Sequence, residues 1–487
     1  MSKGVVVTDA NVARSSAKGP DRSTIRMSQA PDSESGSNPH SLRTYVNSLA
    51  RRSPARLAML VFGALILTIT LLLMLPFSST TPGSVSFVNA LFTATSAVCV
   101  TGLTVVDTAT QWTVFGDIVL ALGIQIGGLG VMVIASILAL AVSRHLGLTQ
   151  RMLAATETKS RLGDVGALLK AVIATSLVAE SILTLIFLGT FVGLDSSFVS
   201  ALGHSLFMAV STFNNAGFVV LADGLGQFVG NWAVSLPIIL GTIIGAVGFP
   251  VTLNIAQNLR NPRAWTLHSK LTLVTYGFLL GISIVMIGLL EWNNPATLGH
   301  LNGSERVLTT LFHATTPRSS GLATLDVGQM QQSTWFFIDV MMFIGGGSAS
   351  TGGGIKVTTF AVLALAILAE ARGDRDTEAF GKRIPPDVVR LAISATFLGA
   401  FLVGSATLAI THITDLSFAQ VLFEVISAFA TCGLSTGITP ILPDSAKIIL
   451  VVLMYLGRVG TMTLAAALAL RNRRRVIRLP EERPVIG

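Results

Sequence analysis

The chain has 487 residues, 51% hydrophobic and only 12% charged, with a mean hydropathy of +0.70. An average soluble domain carries about 25% charged residues, so an ordinary soluble domain is excluded. The net charge of +8 could suit a nucleic-acid binder, but all save five of the 33 Lys and Arg lie in residues 1–56 and 471–487 and in segments 144–170, 256–270 and 370–390. That alternation is a membrane-topology signal, and no nucleic-acid patch follows from it.

Residues 1–52 are rich in Ser, Pro, Asp and Arg and lack an apolar run. They read as a disordered cytoplasmic tail, without the apolar stretch of a secretory signal. From there to about Leu470 the chain is almost continuously apolar. The expected fold class is an all-α membrane protein of four tandem helix–pore loop–helix repeats, eight transmembrane helices in a pseudo-fourfold arrangement. The repeats occupy 53–145, 146–262, 263–375 and 376–472, and a basic cytoplasmic tail follows at 473–487.

Repeat 1 has a leading span near 57–75, a short segment Leu91-Phe-Thr-Ala-Thr-Ser-Ala-Val-Cys-Val-Thr-Gly102-Leu, and a trailing span near 112–142. Repeat 2 has spans near 169–194 and 230–256 around Leu206-Phe-Met-Ala-Val-Ser-Thr-Phe-Asn-Asn-Ala-Gly217-Phe. Repeat 3 has spans near 270–291 and 334–369 around Leu311-Phe-His-Ala-Thr-Thr-Pro-Arg-Ser-Ser-Gly321-Leu. Repeat 4 has spans near 389–413 and 445–470 around Leu422-Phe-Glu-Val-Ile-Ser-Ala-Phe-Ala-Thr-Cys-Gly433-Leu. The Phe-to-Gly separation is 10, 10, 9 and 10, and a Ser or Thr precedes each glycine by five or six residues. Asp107, Asp223 and Asp326 follow the first three glycines and would enrich cations at the outer mouth.

These segments are too short and polar to span a bilayer, and the charge bias puts all four on the outer face with both termini cytoplasmic. Short helices that turn at Gly and leave as extended backbone are re-entrant loops. Such backbone is tolerated at membrane depth only where it is buried or lines a water-filled path. Its carbonyls can replace the water around a cation, and Gly lets them aim at one axis. Four such segments in one chain predict a cation pore. The third trailing span is interrupted by Gly345-Gly346-Gly347-Ser-Ala-Ser-Thr-Gly352-Gly353-Gly354, followed by Ile355 and Lys356. Each Gly costs about 1 kcal/mol against Ala in a helix, so 345–354 should be an unwound intramembrane loop. A phosphate-binding loop needs Gly-Lys followed directly by Ser or Thr, which Ile355-Lys356-Val357 lacks.

Other charges at membrane depth are Glu180, read as a buried paired acid or an ion ligand, and Arg458, read as functional or as bonded to helix-end carbonyls. Arg318 and Glu424 read as groups that pin the pore loops. Cys99 and Cys432 make no disulfide framework and read as small residues in tight packing. Gly433-Leu-Ser435-Thr-Gly437 matches a nucleophile elbow, but it lacks the strand–helix context and an oriented histidine, so an enzyme is not expected.

The four segments and Thr316-Pro-Arg-Ser-Ser-Gly-Leu322 resemble the Trk/Ktr/HKT superfamily of K⁺ transport proteins, and specifically its Ktr-type membrane subunit, over about residues 55–475. The resemblance implies K⁺ uptake through a filter at Val100, Thr101 and Gly102; Asn215, Ala216 and Gly217; Ser319, Ser320 and Gly321; and Thr431, Cys432 and Gly433. None of these is a full Thr-Val-Gly-Tyr-Gly. It implies a gate made by Gly345, Gly346, Gly347, Gly352, Gly353 and Gly354 with Lys356, and Arg458 as a barrier to cations. It also implies a homodimer on a separate cytoplasmic nucleotide-binding ring of the RCK type, with membrane lipid around it. K⁺ is the expected permeating ion, Na⁺ the second candidate, and no other cofactor is expected. The alternative is an Na⁺- or H⁺-coupled symporter. The membrane is expected to be the plasma membrane.

Overall fold

The computed structural model describes residues 54–81, 83, 85–144, 165–194, 197–460 and 482; among these, the side chains of 54–55, 134–144 and 165–168 are not described. The expectations for 1–52 and 473–487 therefore lie outside the described residues. The described chain is mostly helical. Its long helices are α1 (Pro54–Leu73), α3 (Val114–Arg144), α4 (Val165–Phe191), α8 (Leu267–Glu291) and α12 (Pro386–Ile413). All five are long and apolar enough to cross a bilayer, and at most 44% of any of these spans is buried inside the protein. Their outward residues are large and apolar, as at Leu71, Leu289 and Phe397. A water-facing helix would put charge there. The chain is thus a multi-pass membrane protein.

Four shorter helices follow α1, α4, α8 and α12 in turn: α2 (Phe87–Val98), α5 (Phe198–Asn214), α9 (Gly303–Thr315) and α13 (Phe418–Phe429). Each starts at a polar cap. Ser86, Ser197 and Ser417 accept from backbone N–H groups of the first turn, and Asn302 forms a capping box with Glu305. At 1.5 Å per residue the 12-residue α2 and α13 are about 18 Å long, too short to span. Each long helix packs on the short helix that follows it.

The trailing elements of repeats 2 and 4 differ from the continuous spans expected. In repeat 2, α6 (Trp232–Val247) and α7 (Phe249–Gln257) meet at 96°. Gly248 at the corner has φ +96°, and Pro250 starts the new helix where no N–H is needed. In repeat 3, α10 (Gln332–Phe343) and α11 (Val357–Arg372) flank the unwound glycine segment, as expected. A hairpin, β1 (Thr377–Ala379) with β2 (Lys382–Ile384), follows. In repeat 4, α14 (Asp444–Tyr455) loosens into a π-helical turn, Leu456–Gly460, which carries Arg458; the expected span beyond it lies outside the described residues. The trailing helices α3, α6 and α10 pack on α5, α9 and α13 of the next repeat, and α14 packs on α2 of the first. The packing order is therefore cyclic.

Candidate functional site

The four short helices end alike. Thr101, Ala216 and Cys432 donate their N–H groups five residues back, to the carbonyls of Ser96, Ser211 and Ser427, at 2.7 to 2.8 Å. Ser320 donates four residues back, to Thr316, at 3.0 Å, because the third segment is one residue shorter. The serine hydroxyls explain their fixed spacing. Ser96 and Ser427 accept from the N–H groups of Gly102 and Gly433 at 3.0 Å, and Ser211 donates to the Phe218 carbonyl at 2.7 Å.

Two residues before each glycine the backbone is left-handed at a non-glycine residue: Val100 (φ 55°), Asn215 (58°), Ser319 (72°) and Thr431 (46°). Gly102, Gly217, Gly321 and Gly433 also have positive φ, from 68° to 96°, while the residue between does not. Such alternation turns successive carbonyls to one side, unlike the alternating carbonyls of a strand. Left-handed Val is strained, and strain of this kind persists where surrounding structure over-determines it. The twelve sequence-predicted filter positions thus adopt one shape four times.

They also meet. A Cβ built on Gly102 would lie 2.6 Å from the Ala216 carbonyl oxygen and 2.8 Å from the Gly217 Cα. One on Gly217 would lie 3.0 Å from the Ser320 oxygen and 3.3 Å from the Gly321 Cα. One on Gly321 would lie 2.5 Å from the Cys432 oxygen and 2.9 Å from the Gly433 Cα, and one on Gly433 would meet the Thr101 oxygen and, at 3.0 Å, the Gly102 Cα. The four glycines and the four carbonyls before them close a ring in chain order. Cys432 adds a cross-link, its thiol reaching the carbonyls of Thr316 (3.6 Å) and Pro317 (3.4 Å).

The glycine-rich segment lies against three of these turns. Built Cβ atoms on Gly352 and Gly354 would lie 2.9 Å from Ser319 Oγ and 3.0 Å from Ala430 Cα, one on Gly353 would meet Thr431, and the Asn215 amide pairs with the Thr351 hydroxyl at 2.8 Å. Asn215, Ser319 and Thr431 are three of the four left-handed residues. The segment hangs on the α6–α7 corner. Gly347 N–H donates to Ala246 O at 2.7 Å, Thr351 N–H to Gly245 O at 3.3 Å, and Phe249 N–H to Ala349 O at 3.4 Å. Gly345 and Gly346 tie its ends, to Ile355 O (2.8 Å) and from Val357 N–H (3.0 Å). The Lys356 ammonium donates to Gly352 O and the buried Arg458 guanidinium to Thr351 O. Neither cation forms an ion pair among the described residues. Two basic side chains with no carboxylate partner among the described residues therefore sit at the loop, next to the carbonyl ring.

The remaining polar groups brace the turns. Glu180, on α4, accepts from Ser176 (2.6 Å), Gln125 (3.1 Å) and Asn214 (3.2 Å), next to the second turn. Glu424 accepts from Ser435 Oγ (2.5 Å), Thr436 N–H (3.0 Å) and Thr439 Oγ (2.9 Å), so the Ser435 of the elbow-like motif bonds an acid and a threonine, not a histidine. Arg318 donates to Ser283 Oγ at 3.0 Å and stacks 5.0 Å from the Tyr276 ring centre. Asp107 and Asp326 cap the turns that follow their glycines, at Ala109 N–H (3.1 Å) and Gly328 N–H (2.9 Å). Sequence reasoning missed Gln125, Thr351 and the brace at Glu291, which accepts from Thr297 (2.6 Å), Asn294 (2.7 Å), Gln331 N–H (2.9 Å) and Thr334. An acid in an otherwise apolar span was the available signal for Glu180 and Glu291; nothing in the sequence marks their partners.

Residues 49–474 match the family model described as TrkH, cation transport protein. Among similar proteins, the Ktr system potassium uptake protein B of Bacillus subtilis is 39% identical, over 88% of this chain and 96% of that protein. The potassium/sodium uptake protein NtpJ of Enterococcus hirae is 34% identical, over 90% and 98%. The crystal structure of the potassium transporter TrkH from Vibrio parahaemolyticus shares the fold, with a TM-score of 0.68 at 20% identity over 84% of this chain and 83% of that one.

Proposed function

We propose, since the chain belongs to the TrkH family of cation transport proteins, that it is the pore-forming subunit of a potassium-uptake system. The observation that carries the reading is the closed ring of Gly102, Gly217, Gly321 and Gly433 with the carbonyls of Thr101, Ala216, Ser320 and Cys432. A cation in the bilayer must exchange its water for such oxygens, and a ring of backbone carbonyls supplies them without fixed charge. In this reading the four repeats and their eight spans surround one pseudo-fourfold axis and a single chain makes the whole filter. K⁺ is the favoured ion because the similar proteins are named for its uptake.

Gly345 to Gly354 is the gate. It lies against three filter turns, and Lys356 and Arg458 add an electrostatic barrier to cations. The excess of Lys and Arg in alternate loops supports cytoplasmic termini in a plasma membrane. The regulator is a separate cytoplasmic nucleotide-binding ring of the RCK type, which holds two copies of the chain.

The test is radioactive rubidium uptake into proteoliposomes of the purified chain, with K⁺ and then Na⁺ as competitor. Block by K⁺ alone is the expected result. Equal block by Na⁺ assigns a less selective filter, in keeping with the potassium/sodium uptake relative. No uptake by the wild type or by Arg458→Ala removes the ring as a conducting path.

A further inference from the structure

Between α4 and α6 lies a concave apolar groove that the proposed ion path does not use. Val178, Ile182 and Ile186 of α4 recur at four-residue steps, as do Leu236, Leu240 and Ile244 of α6, so two apolar stripes line it. All six are exposed, from 38% at Leu236 to 61% at Val178. The groove encloses about 670 Å³, with Phe213 of α5 among its lining residues. Ala174 and Ala179 are small residues on one wall, and Gly241 on the other lets α6 pack closely on Thr212 of α5 and Leu183 of α4. Pro237, inside α6, also lines it and has no N–H for the Ala233 carbonyl.

What fills the groove follows from where it opens. One wall is the span Leu169–Phe191 and the other belongs to the bent span Trp232–Val247 with Phe249–Gln257. Its mouth therefore faces bilayer hydrocarbon. No lining residue is charged, and the hydroxyl of Thr175 is already bonded to Ala171 O at 2.8 Å. No wall group is left to bind a headgroup or a polar backbone. The volume lies within the range of about 300–1,000 Å³ for ligand sites.

The inner end has a second neighbour. A narrower cleft, which shares Thr175, Phe213 and Ile244 with the groove, continues to Gly245 and Phe249. Those two residues bond Thr351 and Ala349 of the glycine-rich loop at 3.3 and 3.4 Å. We propose that the groove binds one acyl chain of a membrane phospholipid, and that the bound chain clamps the end of α6 and with it the loop. A chain seated against Phe213 and Ile244 packs beside Gly245, whose carbonyl holds the loop, and so restrains the element from which the loop hangs.

Binding and clamping are both read without ion flux, so they stand or fall separately from the transport reading. The protein is placed in vesicles of phosphatidylcholine containing a phosphatidylcholine with a mid-chain diazirine, illuminated, and mapped by peptide mass spectrometry. Label should concentrate on the residues around Ile182 and Leu240, about fivefold over the exposed face of α12 at Phe397 and Phe401, a factor at the low end of site couplings. Ile182→Gln, which opposes hydrocarbon, and Ala179→Phe, which takes up its volume, should each bring the label down to the α12 level. Equal labelling of both faces, or label indifferent to both variants, overturns the site. Disulfide-linked dimers of Ile182→Cys would assign the groove to a second copy and overturn it as well. Amide exchange at Gly347 and Thr351 should be about fivefold faster in Ile182→Gln. Unchanged exchange with the label lost would overturn the clamp.

Discussion

At Gly102 a methyl group has nowhere to go. It would meet the Ala216 oxygen at 2.6 Å, and the residue's φ of +93° is strained for any side chain. Left-handed backbone costs an L-residue about 1–2 kcal/mol, so the ring must deform. Gly102→Ala should therefore lower the preference for K⁺ over Na⁺ in rubidium competition by about tenfold, the factor that corresponds to about 1.4 kcal/mol. An unchanged ratio would take Gly102 out of the filter. Glu180 supplies a second case, with stability as the readout. Its carboxylate accepts from Ser176, Gln125 and Asn214 within the buried interior. Glu180→Ala leaves the buried Ser176 hydroxyl without its acceptor, at about 1–3 kcal/mol, while Gln125 keeps Ser176 Oγ and Asn214 keeps Gln125 Oε1 and Val210 O; it should lower the thermal unfolding midpoint of the purified protein. Glu180→Gln keeps an acceptor of the same size and should recover most of the loss; an equal fall in both would show that the hydrogen bonds carry none of it. The glycines and the odd acid were visible in the sequence because both residue types are rare at such places. The left-handed Val100, Ser319 and Thr431 were not, since no propensity marks a residue whose conformation is imposed by the turn around it.

Among elements, the glycine-rich segment and the π-helical turn act together. Arg458 bonds a loop carbonyl, and Lys356 bonds the next one. Deleting Gly346 to Gly353 should raise the basal rubidium flux of the purified chain at least about tenfold, the result of removing about 1.4 kcal/mol from a barrier. Arg458→Ala removes a charge-assisted hydrogen bond worth about 1.5–3 kcal/mol and should act in the same direction. The two changes touch one contact, so together they should give no more than the larger alone. Fluxes that multiply in the double variant would show two independent barriers. This break in the third trailing span was legible, because so many glycines cannot continue a helix. The right-angle corner at Gly248 was not. A single Gly before a Phe-Pro pair looks like many tolerated glycines, and only the hydrogen bonds from the corner to the loop give it a role.

For the whole molecule, spacing alone marked the four glycine segments, and each of them adopts the same left-handed turn. What spacing could not supply is the order of closure. That follows from the packing of α14 on α2 and from the approach of Gly433 to Gly102, which join the last repeat to the first. In the proposed reading the ring closes within one chain and needs no second chain to complete its filter. Mixed reconstitution separates the cases. If wild-type protein is diluted with Gly102→Ala protein, K⁺-selective rubidium flux should fall in proportion to the wild-type fraction, since every wild-type chain keeps an intact ring. A filter built from one segment of each of several chains would lose flux much more steeply, as a power of that fraction set by the number of chains. A linear fall places the conduction path inside the protomer. A steep fall would mean that the glycine contacts between repeats 4 and 1 are not those that close the pore, and the single-chain ring would have to be abandoned.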